Sequence, residues 1–403
     1  MSSKWNTLRE GQRQTLDADH LSRLQSLHGA IWIHAASVGE FEQARPLIEK
    51  LKMDNGKWKI VVTFFSPSGY EARKNYELAD GIFYLPLPTR RNARKFLEAL
   101  QPSMAIFVKY EFWPAYLREL KKRNIPTYSI CTIFRPTQRF FHWYGKSSLR
   151  LLHCFTHIFV QDEASRRLLA EHGVHECSVA GDTRFDRMKA VKEAINTNDP
   201  RLVPIREFAE GAMHVIVGGS TWPEDEELLA QYMDHLSSDI GDVFTKLILV
   251  PHEIDEEHMH FIFQRFKGRF VKYSAVSEVS AESRRNILRR AQVLVIDKVG
   301  LLSSIYTFGH AAYIGGGFGV GIHNTIEAAV YGLPVIFGPN YAHFREAIGL
   351  IGVGAARSIK KYSEIEAALD TALANPTEIG QKAADYVESE LGATDKIFDT
   401  IFK

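Results

Sequence analysis

Short apolar runs recur along this chain, and nearly every one is followed by a segment with helical periodicity. In the first half the runs are Ile31–His34, Trp58–Phe64, Ile82–Leu85, Met104–Val108, Thr127–Cys131, His157–Val160 and Cys177–Ala180. Several are apolar throughout, as strands buried on both faces must be. Between them, Glu42–Leu51, Arg91–Leu100, Pro114–Arg123 and Glu163–Glu171 carry the period of amphipathic helices. Repeated βα units of this length fold into a parallel sheet with right-handed crossovers. A second series follows at His214–Gly218, Lys246–Pro251, Val293–Ile296, Ala311–Ile314, Pro334–Phe337 and Val353–Ala356. The expected fold is therefore α/β, with two doubly wound, Rossmann-like domains facing across a cleft. Ligands of such sheets bind outside the carboxyl ends of the strands.

With 403 residues, two or three domains are expected. The boundaries read from composition are a polar N-terminal segment 1–30, a first domain 31–190, a turn-rich linker 191–211, a second domain 212–376 and a helical tail 377–403. Lys and Arg total 49 against 48 Asp and Glu, a balance that argues against a nucleic-acid partner. Three cysteines, Cys131, Cys154 and Cys177, offer no CxxC pair, so they are expected to be buried apolar residues in a reducing setting. Residues 1–29 contain no apolar run of a signal peptide or a membrane span.

The densest chemical segment is Tyr313–Asn340. A strand ends at Ile314, a loop with Gly315, Gly316, Gly317, Gly319 and Gly321 follows, and a helix is expected to start near His323 or Asn324. Glycines let backbone N–H groups approach an anion, and a helix N-terminus adds partial positive charge, so the segment suits a nucleotide phosphate. The plain alternative is a loop capped by Asn324 with Glu327 in a capping box. The spacing is not that of a nicotinamide-binding fingerprint. A second junction at Val217–Glu227 offers Ser220 and Thr221 as phosphate or carboxylate contacts, or as an ordinary N-cap.

Two carboxylates stand at expected strand ends of the first domain. Glu40 closes Ile33-His-Ala-Ala-Ser-Val-Gly-Glu40, where Ser37 and Glu40 also have capping-box spacing. A buried glutamate there would be suited to general base catalysis. Glu111 lies between aromatics in Val108–Pro114, a setting that desolvates a carboxylate or else leaves it at an exposed helix start. Basic residues gather at Arg90, Arg91, Arg94 and Lys95. They gather again at Arg135, Arg139 and Lys146, the latter among Phe134, Phe140, Phe141, Trp143 and Tyr144. Such mixtures meet anionic membrane interfaces, or form a solvated helix with a core stripe. Asp17 and Asp19 lie in a polar segment, and His252 and His258 lack a third partner, so no metal is expected.

Taken together, these segments resemble the 3-deoxy-D-manno-octulosonic acid (Kdo) transferases of lipopolysaccharide biosynthesis, glycosyltransferases of the GT-B fold. The matching pieces are His34-Ala-Ala-Ser-Val-Gly-Glu40, Thr63 with Ser68-Gly69, Tyr84-Leu-Pro86, Glu111-Phe-Trp-Pro114, Gly181-Asp-Thr-Arg-Phe-Asp186, Gly219-Ser220, Pro251-His252, Gly315-Gly316, Gly321-Ile-His-Asn324 with Glu327, and Phe337-Gly-Pro-Asn340 with Phe344. The resemblance implies an inverting transfer of Kdo from CMP-Kdo to the lipid A precursor, lipid IVA, with no cofactor. It implies Glu40 as general base and Glu111 as a second acid. It places Ser37, Gly39 and the basic residues toward the acceptor and the membrane, at the cytoplasmic face of the bacterial inner membrane. Ser220, Thr221, His252, Gly316, Gly317, Gly319, His323, Asn324 and Glu327 fall on the donor side. The chain departs from the family pattern at Pro251-His252-Glu253, where many members have Pro-Arg-His. It departs again at Lys109, where many have an acid. Members commonly begin with an apolar anchor; residues 1–30 hold none, so the expectation is either a truncated chain or peripheral membrane binding. Two other readings share the fold: a nucleotide-sugar 2-epimerase and a non-catalytic lipid-binding scaffold.

Overall fold

A computed structural model describes residues 3–54, 56–238 and 245–403. Fourteen strands are described, in two seven-stranded sheets. The first sheet holds β1 (Ile31–His34), β2 (Ile60–Phe64), β3 (Gly81–Tyr84), β4 (Met104–Val108), β5 (Thr127–Thr132), β6 (His157–Val160) and β7 (Cys177–Val179). The second holds β8 (His214–Thr221), β9 (Thr245–Pro251), β10 (Phe270–Lys272), β11 (Val293–Val295), β12 (Ala311–Ile314), β13 (Val335–Phe337) and β14 (Ala356–Ser358). Every pairing is parallel.

The strand orders are β3-β2-β1-β4-β5-β6-β7 and β10-β11-β9-β8-β12-β13-β14. Chain direction across the sheet reverses between β1 and β4 in the first, and between β8 and β12 in the second. Those are the switch points at whose carboxyl ends ligands bind. β1, β2, β3, β9, β11, β12 and β13 are buried at every residue, which is why they read as largely apolar runs.

The chain divides into two compact units, Met1–Arg187 with Glu390–Lys403, and Met188–Ser389. This differs from the composition-based boundaries. Segment 191–211 is no bare linker: it contains a helix, Val203–Ala209, whose Ile205 and Phe208 are buried, as is Leu202 before it. The tail 377–403 splits. Its helix Pro376–Ser389 belongs to the second unit, whereas Ala393–Phe402 returns to the first and buries Ile397 and Phe398 there. Segment 1–30, polar in composition, forms helices Ser3–Gln14 and Ala18–Ser26 with Leu8 and Leu24 buried; Met1 and Ser2 lie outside the described residues. The short edge strand β10 had too few apolar residues to read from sequence, and β14 begins at Ala356 rather than Val353. Of the cysteines only Cys131 is fully buried; Cys154 and Cys177 are half-buried.

Candidate active site

In the first unit the site is built where β1 and β4 end. After His34 the chain turns through Ala35-Ala36-Ser37 into the helix Val38–Met53. Ser37 caps it: the Glu40 N–H donates to Ser37 Oγ at 3.4 Å, while Glu40 Oε2 accepts from Ala36 N–H at 2.6 Å and Ser37 N–H at 3.2 Å. The capping box and the candidate base are thus one arrangement. Burial, with the Glu111 carboxylate adding to it, pushes Glu40 up to about 7 against the pull of the Ala36 and Ser37 amides and Lys109. Gly39 is exposed beside it, and a Cβ there would stand in open space. Gly69 is a different case. Ser66 N–H donates to the Ala36 carbonyl, and a Cβ on Gly69 would press to 2.9 Å from the Phe64 ring and 3.4 Å from Ser37 Cα.

Glu111 faces the same turn from β4. Its Oε2 accepts from Trp113 Nε1 at 2.5 Å and lies 3.2 Å from His34 Nε2. His34, fully buried, puts Nδ1 3.0 Å from the Thr63 carbonyl and 2.9 Å from its hydroxyl, and so aims Nε2 at Glu111. Glu111 is therefore held within the cluster by His34 and Trp113, neither of which was singled out from sequence as a site residue.

The basic residues divide. Arg90, Arg91 and Arg94 are exposed in the first turns of the helix Arg90–Leu100, where the dipole disfavours cations. Around Arg135–Lys146 the expected helix is instead two 3-10 turns, Arg139–Phe141 and Trp143–Gly145, followed by the helix Lys146–Leu152. Phe140 is buried against Phe112 and Phe134, and Phe141 packs on Phe134 and His172, so neither is free to meet a membrane. Trp143 is 86% exposed and Tyr144 60%, alongside exposed Arg139 and Lys146. Arg135 is half-buried, with Nη1 donating to Tyr110 Oη at 3.4 Å.

In the second unit three loops meet at the carboxyl ends of β8, β9 and β12. Their rings cluster: His252 stacks on Trp222 at 4.8 Å between centroids and on His323 at 4.4 Å. Trp222 Nε1 donates to His323 Nε2 at 3.1 Å. Burial, with His252 close by, holds His323 down at about 4, so its imidazole is neutral at physiological pH.

The glycine loop is tied down from two sides. Asp225, buried, accepts from Gly316 N–H (2.9 Å), Trp222 N–H (3.0 Å) and Tyr313 Oη–H (2.8 Å). On the other side Asn340 donates from N to the Gly317 carbonyl and from Nδ2 to the Gly319 carbonyl. Gly317 lies so close to Gly338 that a Cβ would come to 2.6 Å from its backbone. Gly316 (φ +87°) and Gly321 (φ +146°) occupy backbone conformations that favour glycine. One amide expected to meet a phosphate, that of Gly316, is thus already held by a carboxylate. Ser220 is half-buried at φ +53°. Thr221 is fully buried and donates its hydroxyl to Glu226 at 2.9 Å, so it braces the loop from beneath. Glu226 in turn lies 3.0 Å from His258 Nε2. The helix expected at His323 or Asn324 begins at Ile326 and lasts one turn, to Ala329. Asn324 Oδ1 accepts from Ile326 N–H, and its Nδ2 donates to Glu327. That is not a capping box, and so short a helix offers little dipole.

Residues 9–187 match the family model described as 3-deoxy-D-manno-octulosonic-acid transferase (kdotransferase). Over 389 residues the chain is 27% identical to a 3-deoxy-D-manno-octulosonic acid transferase of Haemophilus influenzae, covering 92% of this chain and 86% of that protein. The chain is a glycosyltransferase, similar to Kdo transferases along most of its length. A Kdo transferase of Aquifex aeolicus is 27% identical over 325 residues, covering 79% of this chain and 78% of its own length. Among solved structures, a UDP-GlcNAc 2-epimerase from Neisseria meningitidis superposes with a TM-score of 0.65 at 15% identity, over 92% of this chain and 99% of that one. MurG of Acinetobacter baumannii gives 0.56 at 12% identity, over 92% and 99%. At such identities these two report the GT-B fold alone. The epimerase reading thus gains nothing from them, whereas the Kdo transferases similar to this chain speak for transfer.

Proposed function

We propose that this enzyme transfers Kdo from CMP-Kdo to the lipid A precursor, lipid IVA, in lipopolysaccharide biosynthesis, and that Glu40 is its general base. The observation that carries the reading is Glu40 itself. Within the residues that match the Kdo transferase model, a carboxylate at the sheet's switch point is held by two backbone amides with its pKa near 7. A base poised there is half ionised at working pH and takes a proton readily. In the reaction it removes the proton of the acceptor's glucosamine 6′-hydroxyl, the oxygen forms a bond to C2 of Kdo, and the bond from C2 to the phosphate of CMP breaks with inversion. Glu111, fixed by Trp113 and His34, is the second acid of the acceptor side.

The second unit takes the nucleotide. The Trp222, His252 and His323 rings, the glycine loop, Ser220, Asn324 and Glu327 are its candidate contacts. Among the described residues no cluster of His, Cys, Asp or Glu could hold a metal ion, and the proposal routes no step through a metal or cofactor. Among the same residues no helix is long and apolar enough to cross a membrane. We assign Arg90, Arg91 and Arg94, together with Arg135, Arg139, Trp143 and Lys146, to an anionic membrane surface, the cytoplasmic face of the inner membrane, met peripherally. Three arginines placed against a helix dipole, and a tryptophan left in water, are costs that such a surface would offset. Incubating the protein with CMP-Kdo and lipid IVA tests the reading: lipid IVA gains the mass of Kdo and CMP is released. An unchanged lipid would reject it.

A further inference from the structure

The helix that presents Glu40 contains a proline at its third turn, Pro46. Proline has no N–H, so the Glu42 carbonyl loses its helical donor and the helix is weakened just behind the turn that carries Glu40. Something else must hold that turn. The residues that do so lie about 140 positions away, in the segment Gly181-Asp182-Thr183 after β7. The Thr183 hydroxyl donates to the Gln43 carbonyl at 2.5 Å, and Gln43 Nε2 donates to Asp182 Oδ1 at 2.9 Å. Gln43, Asp182 and Thr183 are all buried.

The bracket is stiff. Asp182 also accepts from the Arg184 backbone N–H at 3.0 Å and from its guanidinium at 2.9 and 2.7 Å. Burial alone would raise its carboxyl, but Arg184 and Gln43 hold it down at about 2. Cys131, at the end of β5, places Sγ 3.2 Å from Thr183 Oγ1. The bracket is also costly. Gln43 Oε1 is buried with no hydrogen-bond partner among the described residues, a cost that packing alone does not require. A buried amide kept at such a cost points to a task beyond packing.

We infer that Asp182 and Thr183, acting through Gln43, are positioning residues that hold the Glu40 turn against the Ala36 and Ser37 amides. The inference rests on Glu40 being the base, and its test is chosen to read Glu40 without donor or acceptor. A water-soluble carbodiimide labels protonated carboxyls; the extent of Glu40 labelling against pH, read by peptide mass, gives its titration. In the wild type the midpoint lies near 7. In Thr183→Val the loosened turn lets water reach Glu40, and the midpoint falls toward the ordinary carboxylate range. Thr183→Ser restores it. Where Kdo transfer is measurable, Thr183→Val lowers kcat about tenfold to hundredfold with little change in KM, the scale expected of a small misplacement. If Thr183→Val does not fold, Gln43→Leu, which removes the amide and its unpaired oxygen together, is read in the same way. A wild-type midpoint in Thr183→Val or Gln43→Leu, or a midpoint that Thr183→Ser leaves displaced, overturns the inference. A wild type that titrates near 7 but transfers no Kdo would reject the proposed reaction and leave the bracket standing.

Discussion

The two switch points use the same fold position for opposite electrostatic ends. At the end of β1, burial and a neighbouring carboxylate raise Glu40 to about 7, so a proton can be taken near neutrality. At the end of β12, burial and a neighbouring imidazole lower His323 to about 4, so no proton is held there. Desolvation is the leading cause in both, and it suppresses the charged form whatever its sign. The first unit therefore offers a reactive base, and the second offers neutral rings and braced backbone suited to binding. On the proposed reading, chemistry on the acceptor and recognition of the nucleotide are divided between the units accordingly.

Glu40→Gln attacks the first side of this contrast most severely. The amide can still accept from Ala36 and Ser37, but the base is gone, and turnover falls roughly 10²- to 10⁴-fold. CMP binding, judged by the rise in melting temperature, is retained. Stability moves in a stated direction. A folded-state pKa raised from 4.5 to about 7 means that the wild type loses stability as pH rises through that interval. The mutant, having nothing to ionise, therefore gains on the wild type between about pH 4.5 and 7, and the gain levels off above. Thermal melts of both proteins at pH 5 and pH 8 would show it. Replacing Arg135, Arg139 and Lys146 by Ala comes next. At about 1 kcal/mol per basic group near an anionic bilayer, vesicle binding at low salt weakens by roughly two orders of magnitude, with CMP binding unmoved. Flotation that is equal for both proteins would remove the membrane from the first unit's role.

Asp225→Ala tests the second unit. It strips three donors, Gly316 N–H, Trp222 N–H and Tyr313 Oη–H, of their acceptor at a cost of about 1–3 kcal/mol each if left unpaired. CMP should then protect the protein from heat by much less than it protects the wild type, while Asp225→Asn, which keeps one acceptor oxygen, loses less. The smallest effect is that of Glu111→Gln. Removing a like charge from beside Glu40 shifts the rising limb of kcat/KM to lower pH. A limb that stays in place would mean burial alone sets the base.

Much of this was legible because chemistry followed the strand ends. Glu40 and Glu111, His252 and His323 all stand where an apolar run gives way to a loop, and the structure brings each pair together. What stayed hidden was who holds them. Asp225 read as one acid among several at a helix start, which the dipole favours anyway; only the fold shows that it faces away to the glycine loop. Trp222 had no sequence partner, because its ring meets His323 across about a hundred residues. Phe140 and Phe141 looked like membrane contacts because they sit among arginines, yet two tight turns roll them inward and leave Trp143 outside. The one-turn helix at Ile326 misled for a local reason: Asn324 and Glu327 have capping-box spacing, but the Asn side chain spans both the Ile326 amide and the carboxylate.

The claim on which the rest turns is that Glu40 is the base. Its most direct test is the pH dependence of kcat/KM for transfer of Kdo from CMP-Kdo to lipid IVA, measured for the wild type and Glu40→Gln. The account predicts a wild-type rate that climbs about tenfold per pH unit below 7 and is level above it, and a mutant rate that is low and loses that limb. A mutant that keeps the same limb at near wild-type rate would contradict it and leave Glu40 as a helix cap only.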